Sequence, residues 1–275
     1  MTAQPARPDQ PDRPVLPHPP LDERRVDAYL ARIGAARPAA PDLAGLRALQ
    51  QAHLARVPFE NLSVRLGEPI VLEPDALVAK LLDRHRGGFC YELNGAFAAL
   101  LGALGYRVEL LAARVFGDNG PGPLFGHLAL RVLLAEPWLV DVGFGRFSGL
   151  PLRLADRGEQ HDPAGVFTVR DHGPDLDVLE HGAPQYRLDQ RSYQLPDFVP
   201  TCWWQATSPD SHFTRSTTCS RATAEGRITL SGDRLIRTAG GERHEERLTD
   251  PDERLAAYRE HFGITLEPAA LERLG

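Results

Sequence analysis

The sequence predicts an α+β protein, with helices first, an antiparallel sheet or small β-barrel next, and a mixed strand-and-helix C-terminal part. Two observations carry this expectation. Between residues 21 and 104 apolar side chains recur at helical spacing, behind good helix-starting residues. After Gly105 the pattern changes to alternating or continuous Val- and Leu-rich runs, punctuated by turn formers.

Taken in order, residues 1–20 carry seven prolines and little periodic apolar content, so a disordered or extended tail is expected there. Val26, Tyr29, Leu30 and Ile33 then share a helical face that ends near Gly34. Asp42 is a good N-cap for a second helix that buries Leu43, Leu46 and Leu49. Pro74 and Asp75 open a third, with Leu77, Val78, Leu81 and Leu82 on its inner side. A fourth spans 90–104 on Leu93, Phe97, Leu100, Leu101 and Leu104. Strands are expected over 106–115, 127–134 and 138–144, with shorter ones at 166–170, 176–179 and 186–188. Further on, strands at 227–230 and 234–237 precede a helix over 250–262, capped by Asp250.

Composition narrows the function class. With 275 residues, 42% hydrophobic and 25% charged, the chain is long enough for a large core and ordinary for a soluble globular protein. A net charge of −6 without a basic stripe speaks against a nucleic-acid partner. No run approaches the roughly 20 apolar residues of a membrane span, and no basic-then-apolar signal opens the chain. Three scattered cysteines, at 90, 202 and 219, do not suggest a disulfide framework, so a cytoplasmic location is expected. They also have no ligand spacing with His53, His85 or His212, so no metal is expected. Lys80 is the only lysine against 30 arginines, which reads as base composition of the source genome.

The chemistry centres on Arg86-Gly87-Gly88-Phe89-Cys90-Tyr91-Glu92-Leu93-Asn94. A Gly-Gly turn delivers Cys90 into the first turn of an apolar helix, where free N–H groups and the helix dipole favour a thiolate, as does nearby Arg86. A cysteine nucleophile needs a base, and the base needs an orienting group. His127 opens an apolar strand 37 residues further on, and Asp141 ends the next run after another 14. Two strands joined near Glu136-Pro137 could set them side by side. Spacing alone also suits a packed cysteine, a structural histidine and a turn aspartate.

These residues resemble the arylamine N-acetyltransferase family. The similarity rests on Pro58-Phe59-Glu60-Asn61, the nine-residue motif around Cys90, His127, Asp141-Val142-Gly143-Phe144-Gly145 and Ser208-Pro209-Asp210-Ser211-His212-Phe213, in family order from about Leu21 onward. It implies a disordered tail at 1–20, a helical bundle carrying the nucleophile at 21–104, a β-barrel carrying His and Asp at 105–208 and an α/β lid at 209–275. The catalytic core would be like that of papain and transglutaminases. It also implies a Cys90–His127–Asp141 triad that takes acetyl from acetyl-CoA and passes it, in ping-pong order, to an arylamine, arylhydrazine or N-hydroxyarylamine, as in xenobiotic metabolism. Phe59, Phe144 and Phe213 would line the acceptor pocket, Gly126 would widen it, and Glu60 and Arg86 would form a supporting pair. No CoA-contacting residues are assigned.

Some proteins resembling this family are amide synthases that release or cyclise ansamycin polyketides with the same triad and an acyl-carrier protein. Gly126 and the Trp203-Trp204 pair are compatible with such a roomier pocket. A papain-like hydrolase, a transglutaminase and an inactive binding protein are the remaining alternatives. The motif around Cys90 argues against the first two and the intact triad against the last.

Overall fold

The computed structural model describes residues 21–275; the expected tail at 1–20 lies outside the described residues. Helix α1 (Glu23–Ile33) starts where Asp22 accepts the Arg25 N–H at 2.8 Å, and it stops at Gly34 with φ 69°. Helix α2 (Leu43–Arg56) is capped in the same way by Asp42. Strand β1 (Phe59–Glu60) and helix α3 (Leu62–Leu66) follow, then α4 (Pro74–Leu82) and α5 (Cys90–Ala103). Leu43, Leu82 and Leu104 are only half-buried, because each lies at a helix end. Gln50, His53 and Lys80 instead occupy buried positions in these helices.

Helix α5 is the centre of this region. Every residue from Cys90 through Phe97 is buried, so the helix has no solvated face and is packed on all sides. It shares one apolar core with Tyr29, Leu46, Leu49 and Val78, and on the sheet side with Leu128 and Leu130.

The central sheet comprises β2 (Arg107–Gly117), β3 (Gly120–Pro121), β4 (His127–Leu133), β5 (Pro137–Val140), β6 (Leu152–Arg153), β7 (Gln160–Asp162), β8 (Gly165–His172), β9 (Asp175–Glu180) and β10 (Ala183–Tyr193). Its antiparallel order is β6-β5-β4-β2-β10-β9-β8-β7, with β3 paired to β2. The two outer strands approach each other: Gln160 Oε1 accepts the Arg153 N–H at 2.7 Å and its Nε2 donates to the Arg153 carbonyl at 3.0 Å. The sheet is therefore nearly closed, around Leu111, Ala129, Phe147, Phe167, Val178 and Tyr186. The strand expected over 138–144 ends at Val140. Asp141 accepts the Gly143 N–H at 2.9 Å, which turns the chain away from the sheet.

Helix α6 (Leu195–Thr207) and the short α7 (His212–Arg215) lead into β11 (Thr218–Ala222), β12 (Gly226–Ser231), β13 (Arg234–Ala239) and β14 (Glu242–Arg247). These four strands and β1 make a second antiparallel sheet in the order β1-β11-β12-β13-β14. Helices α8 (Pro251–Phe262) and α9 (Pro268–Leu274) cover one face through Tyr258, Phe262 and Leu271. The Trp203-Trp204 pair lies on α6 with both rings exposed, and Trp203 lines a surface groove with Val64, Ile70 and Leu72. No helix among the described residues is long and apolar enough to cross a membrane.

Candidate active site

The local backbone explains how Cys90 is held. Neither Gly87 nor Gly88 has a positive φ, so the expected reason for them, an unusual turn conformation, is not the operative one. Close approach is: a Cβ on Gly87 would run into the Pro58 carbonyl. Gly88 meanwhile bridges Phe59, and its carbonyl accepts the Glu60 N–H at 2.8 Å. Glu92, on the first turn of α5, caps the helix by accepting the Phe89 N–H at 3.2 Å.

Cys90, His127 and Asp141 come together in the interior, between 1% and 4% exposed. Antiparallel pairing of β4 with β5 brings the start of one strand beside the end of the other, across Leu130 and Val140. His127 Nε2 lies 2.7 Å from Asp141 Oδ2, which leaves Nδ1 for the Cys90 sulfur within hydrogen-bond reach. Burial alone would discharge the ring. The Asp141 carboxylate, with Cys90 adding to it, outweighs burial and pushes the His127 pKa up to about 10. An imidazolium is therefore the favoured state at neutral pH.

Two further residues complete the Asp141 surroundings. Asn94 Nδ2 donates to Asp141 Oδ1 at 2.9 Å and to the Leu128 carbonyl at 2.7 Å, while its Oδ1 accepts the Val142 N–H. Tyr186 donates its hydroxyl to Asp141 Oδ2 at 3.2 Å. Both were given no role in the sequence reading. Asn94 had a signal, since it stands four residues after Cys90 and so shares its helix face; Tyr186 had none. Gly143 must be glycine, because a Cβ there would lie 2.7 Å from the Cys90 Cα.

The aromatics expected to line a pocket fall into two groups. Phe59 and Phe213 lie 6.2 Å apart between ring centres, and Phe89 stands 5.4 Å from Phe213. Phe144 packs on His127 at 5.1 Å and on Tyr186 at the same distance. Gly126 also has a local reason to be glycine: a Cβ there would face the Pro123 carbonyl at 2.9 Å, so glycine fits the loop's own backbone. Phe125 before it has φ 62°, held by the Tyr91 hydroxyl on its carbonyl at 2.7 Å and by Phe198 and Tyr193 against its ring.

Behind Cys90 lies a set of buried charges. Arg86 donates to Glu60 through Nε at 2.9 Å and Nη2 at 3.1 Å. Its charge is thus engaged by Glu60 rather than turned toward Cys90 as the sequence suggested. Lys80 donates to Glu92 at 2.6 Å and stands 4.0 Å from Glu60. Burial would raise the Glu60 carboxyl, but Lys80 and Arg86 hold it down at about 2. Glu92 is raised, since burial prevails there over Lys80. Cys202 and Cys219 are both pushed up, first by burial and then by a carboxylate, Glu92 and Glu60 respectively. Among the described residues no cluster of His, Cys, Asp and Glu could hold a metal ion.

Such a thiol, base and carboxylate, in a dry aromatic-walled site, can form and break a thioester. Comparisons with known proteins show what the chain is similar to. A family described as N-acetyltransferase matches residues 42–271. The arylamine N-acetyltransferase of Escherichia coli strain K12 is 34% identical over 250 residues, spanning 88% of this chain and 89% of that protein. The Mycolicibacterium smegmatis arylamine N-acetyltransferase is 35% identical, over 86% and 91% of the two chains. The structure of Mycobacterium marinum arylamine N-acetyltransferase superposes with a TM-score of 0.84 at 32% identity, over 90% of this chain and 98% of that one. The same enzyme has been solved in complex with CoA, with the same similarity.

Proposed function

The chain belongs to the arylamine N-acetyltransferase family, and from that premise we propose that it moves acetyl from acetyl-CoA through a Cys90 thioester to an arylamine or arylhydrazine. The observation that carries this reading is the buried Cys90–His127–Asp141 arrangement, with His127 bound to Asp141 at 2.7 Å and within reach of the sulfur.

In the first half-reaction the Cys90 thiolate attacks the acetyl carbonyl. The sulfur–carbon bond to CoA breaks, and His127 supplies a proton to the departing CoA thiolate. In the second, the amine attacks the acetyl-cysteine thioester and His127 takes the amine proton. Cys90 then leaves as a thiolate, which restores the starting pair. Asp141 stabilises the imidazolium and fixes the ring through Nε2, while Asn94 and Tyr186 keep Asp141 in place. The Phe59–Phe213 pair and Phe144 supply apolar faces on which a flat acceptor ring can pack. The near-complete burial of the three groups favours the amine over water as acceptor.

The test is mass spectrometry of the intact protein mixed with acetyl-CoA. One acetyl group on Cys90, discharged on adding an arylamine or isoniazid, is expected, and Cys90→Ser should show neither the adduct nor CoA release. Normal turnover by Cys90→Ser would remove the triad from the mechanism. Turnover of a long acyl thioester on a carrier protein, with acetyl-CoA inert, would instead mark an amide synthase.

A further inference from the structure

We propose that the face of the second sheet beside Phe59 carries an oxyanion site, built on Arg227 with the Ser220 and Thr229 hydroxyls, that holds a phosphate group of the acyl-CoA donor. The inference rests on the reading above that the donor is a CoA thioester.

Strand register places these side chains together. Phe59 pairs with Ser220, and Ser220 pairs with Thr229, so the three emerge on one face of the sheet. Arg227, two residues before Thr229 and opposite Ala222, joins that face. The other face, with Cys219, Ile228 and Leu230, is buried with Tyr258 and Phe262 of α8. The Arg227 face is thus turned toward the catalytic half of the molecule. There the Phe59 ring lies against Gly145, where a Cβ would meet it at 3.6 Å, and Arg146 is the next residue. Ser220 Oγ is 2.7 Å from Thr229 Oγ1 and accepts from Arg227 Nη1 at 3.0 Å.

The charges around this patch do not balance. Among the described residues the Arg227 side chain has a hydroxyl as its hydrogen-bond partner and no carboxylate at ion-pair distance. Arg146 adds a second positive charge near Arg227, and it pairs with Glu180 at 2.8 Å. Burial first, and then repulsion by Arg146, push the Arg227 pKa down to about 10. Arg86 and Arg187, by comparison, are each held by a carboxylate at 2.9 Å or less. A half-buried cation beside a second cation, with hydroxyls next to it, is completed by an anion that accepts several hydrogen bonds.

Position selects which anion. Thr229 and Arg227 lie two strands away from Phe59, a distance of about 10 Å at ordinary strand spacing. A single-ring acceptor held against Phe59 and Cys90 does not reach that far. A donor whose thioester and phosphates sit at opposite ends of a long arm does.

The test compares two acetyl donors in wild-type protein, Arg227→Gln and Arg227→Lys: acetyl-CoA and the phosphate-free acetyl-N-acetylcysteamine. Arg227→Gln should raise the KM for acetyl-CoA about tenfold with kcat little changed, as for loss of a charge-assisted hydrogen bond. The KM for the phosphate-free thioester should stay at the wild-type value, and Arg227→Lys should recover part of the loss. Ser220→Ala, which leaves the charge in place, should give a smaller rise for acetyl-CoA alone. An unchanged acetyl-CoA KM in Arg227→Gln, or an equal rise for both donors, would overturn the site. So would a KM effect confined to a carboxylate-bearing acceptor such as 4-aminobenzoate, seen against aniline. If wild-type protein turns over neither donor, the assigned activity fails, and that result is distinct from failure of the site.

Discussion

Two polar regions flank Cys90, and they differ in how their charges are completed. Behind it, Glu60 with Arg86 and Glu92 with Lys80 form two buried pairs with as many cations as anions. In front, Asp141 receives Asn94, the Gly143 N–H, His127 and Tyr186, and the matching positive charge is a proton on an imidazole. Both regions lie in the same desolvated interior. The rear set is made of side chains locked to one another by hydrogen bonds of 2.6 to 3.1 Å, so it holds a shape. The front set contains a proton that can move between nitrogen and sulfur, so it can do chemistry. Burial makes both strong; only the mobile proton suits one of them to the proposed catalytic role.

The largest effect that would probe this contrast is expected at Asp141. Asp141→Asn should lower kcat by on the order of 10³- to 10⁴-fold, because an amide can neither stabilise the imidazolium nor enforce its tautomer. Steady-state release of CoA measures it, and near-normal turnover would erase the distinction between front and rear. Next, Lys80→Met should destabilise the fold by about 3 kcal/mol, because Glu92 is left buried without its cation. Urea unfolding reads the loss, and adding Glu92→Gln should recover most of it. If the double variant is no more stable than the single one, the rear set is not a pair of compensating charges.

The front set should also reveal itself in its pH dependence. The folded-state pKa of His127 is raised above the ordinary 6.5 to about 10. Its contribution to stability is therefore complete below pH 6.5 and is lost as pH rises through about 10. Ring nitrogen shifts in NMR should show His127 still protonated at pH 8; a midpoint near 6.5 would mean that the ion pair is absent. The smallest expected effect is that of Tyr186→Phe, which removes one of four hydrogen bonds to Asp141. About 1 kcal/mol of stability and a modest fall in kcat should follow, measured by the same two assays.

Much of the fold was legible because its signals are local. The α1 face and its Gly34 stop, the Asp42 and Asp250 caps and the Pro74 start each depend on a few neighbouring residues. Elements set by distant partners were not legible. Strand β1 has two residues and exists by pairing with β11, while β14 is exposed at every position and so lacks alternation. Helix α6 contains Pro196 and Pro200, which hid its period. At the site, residues within the Cys90 motif could be read as a group, but Tyr186 reaches Asp141 from β10, 45 residues away, through the curl of the sheet. The sequence also gave a wrong reason for a correct detail. Gly87 is required by the Pro58 carbonyl pressing on it, which no propensity records.

Lys80 invites one more consequence. It carries the only lysine amine in the chain, and that amine is buried and donated to Glu92. A protein read as holding a reactive acyl thioester therefore displays no lysine nucleophile on its own surface that could intercept the acyl group. The arginines that replace lysine elsewhere are poor acyl acceptors at neutral pH, because they stay protonated. What looked like a compositional accident leaves the surface without a lysine side chain for the acyl group to modify.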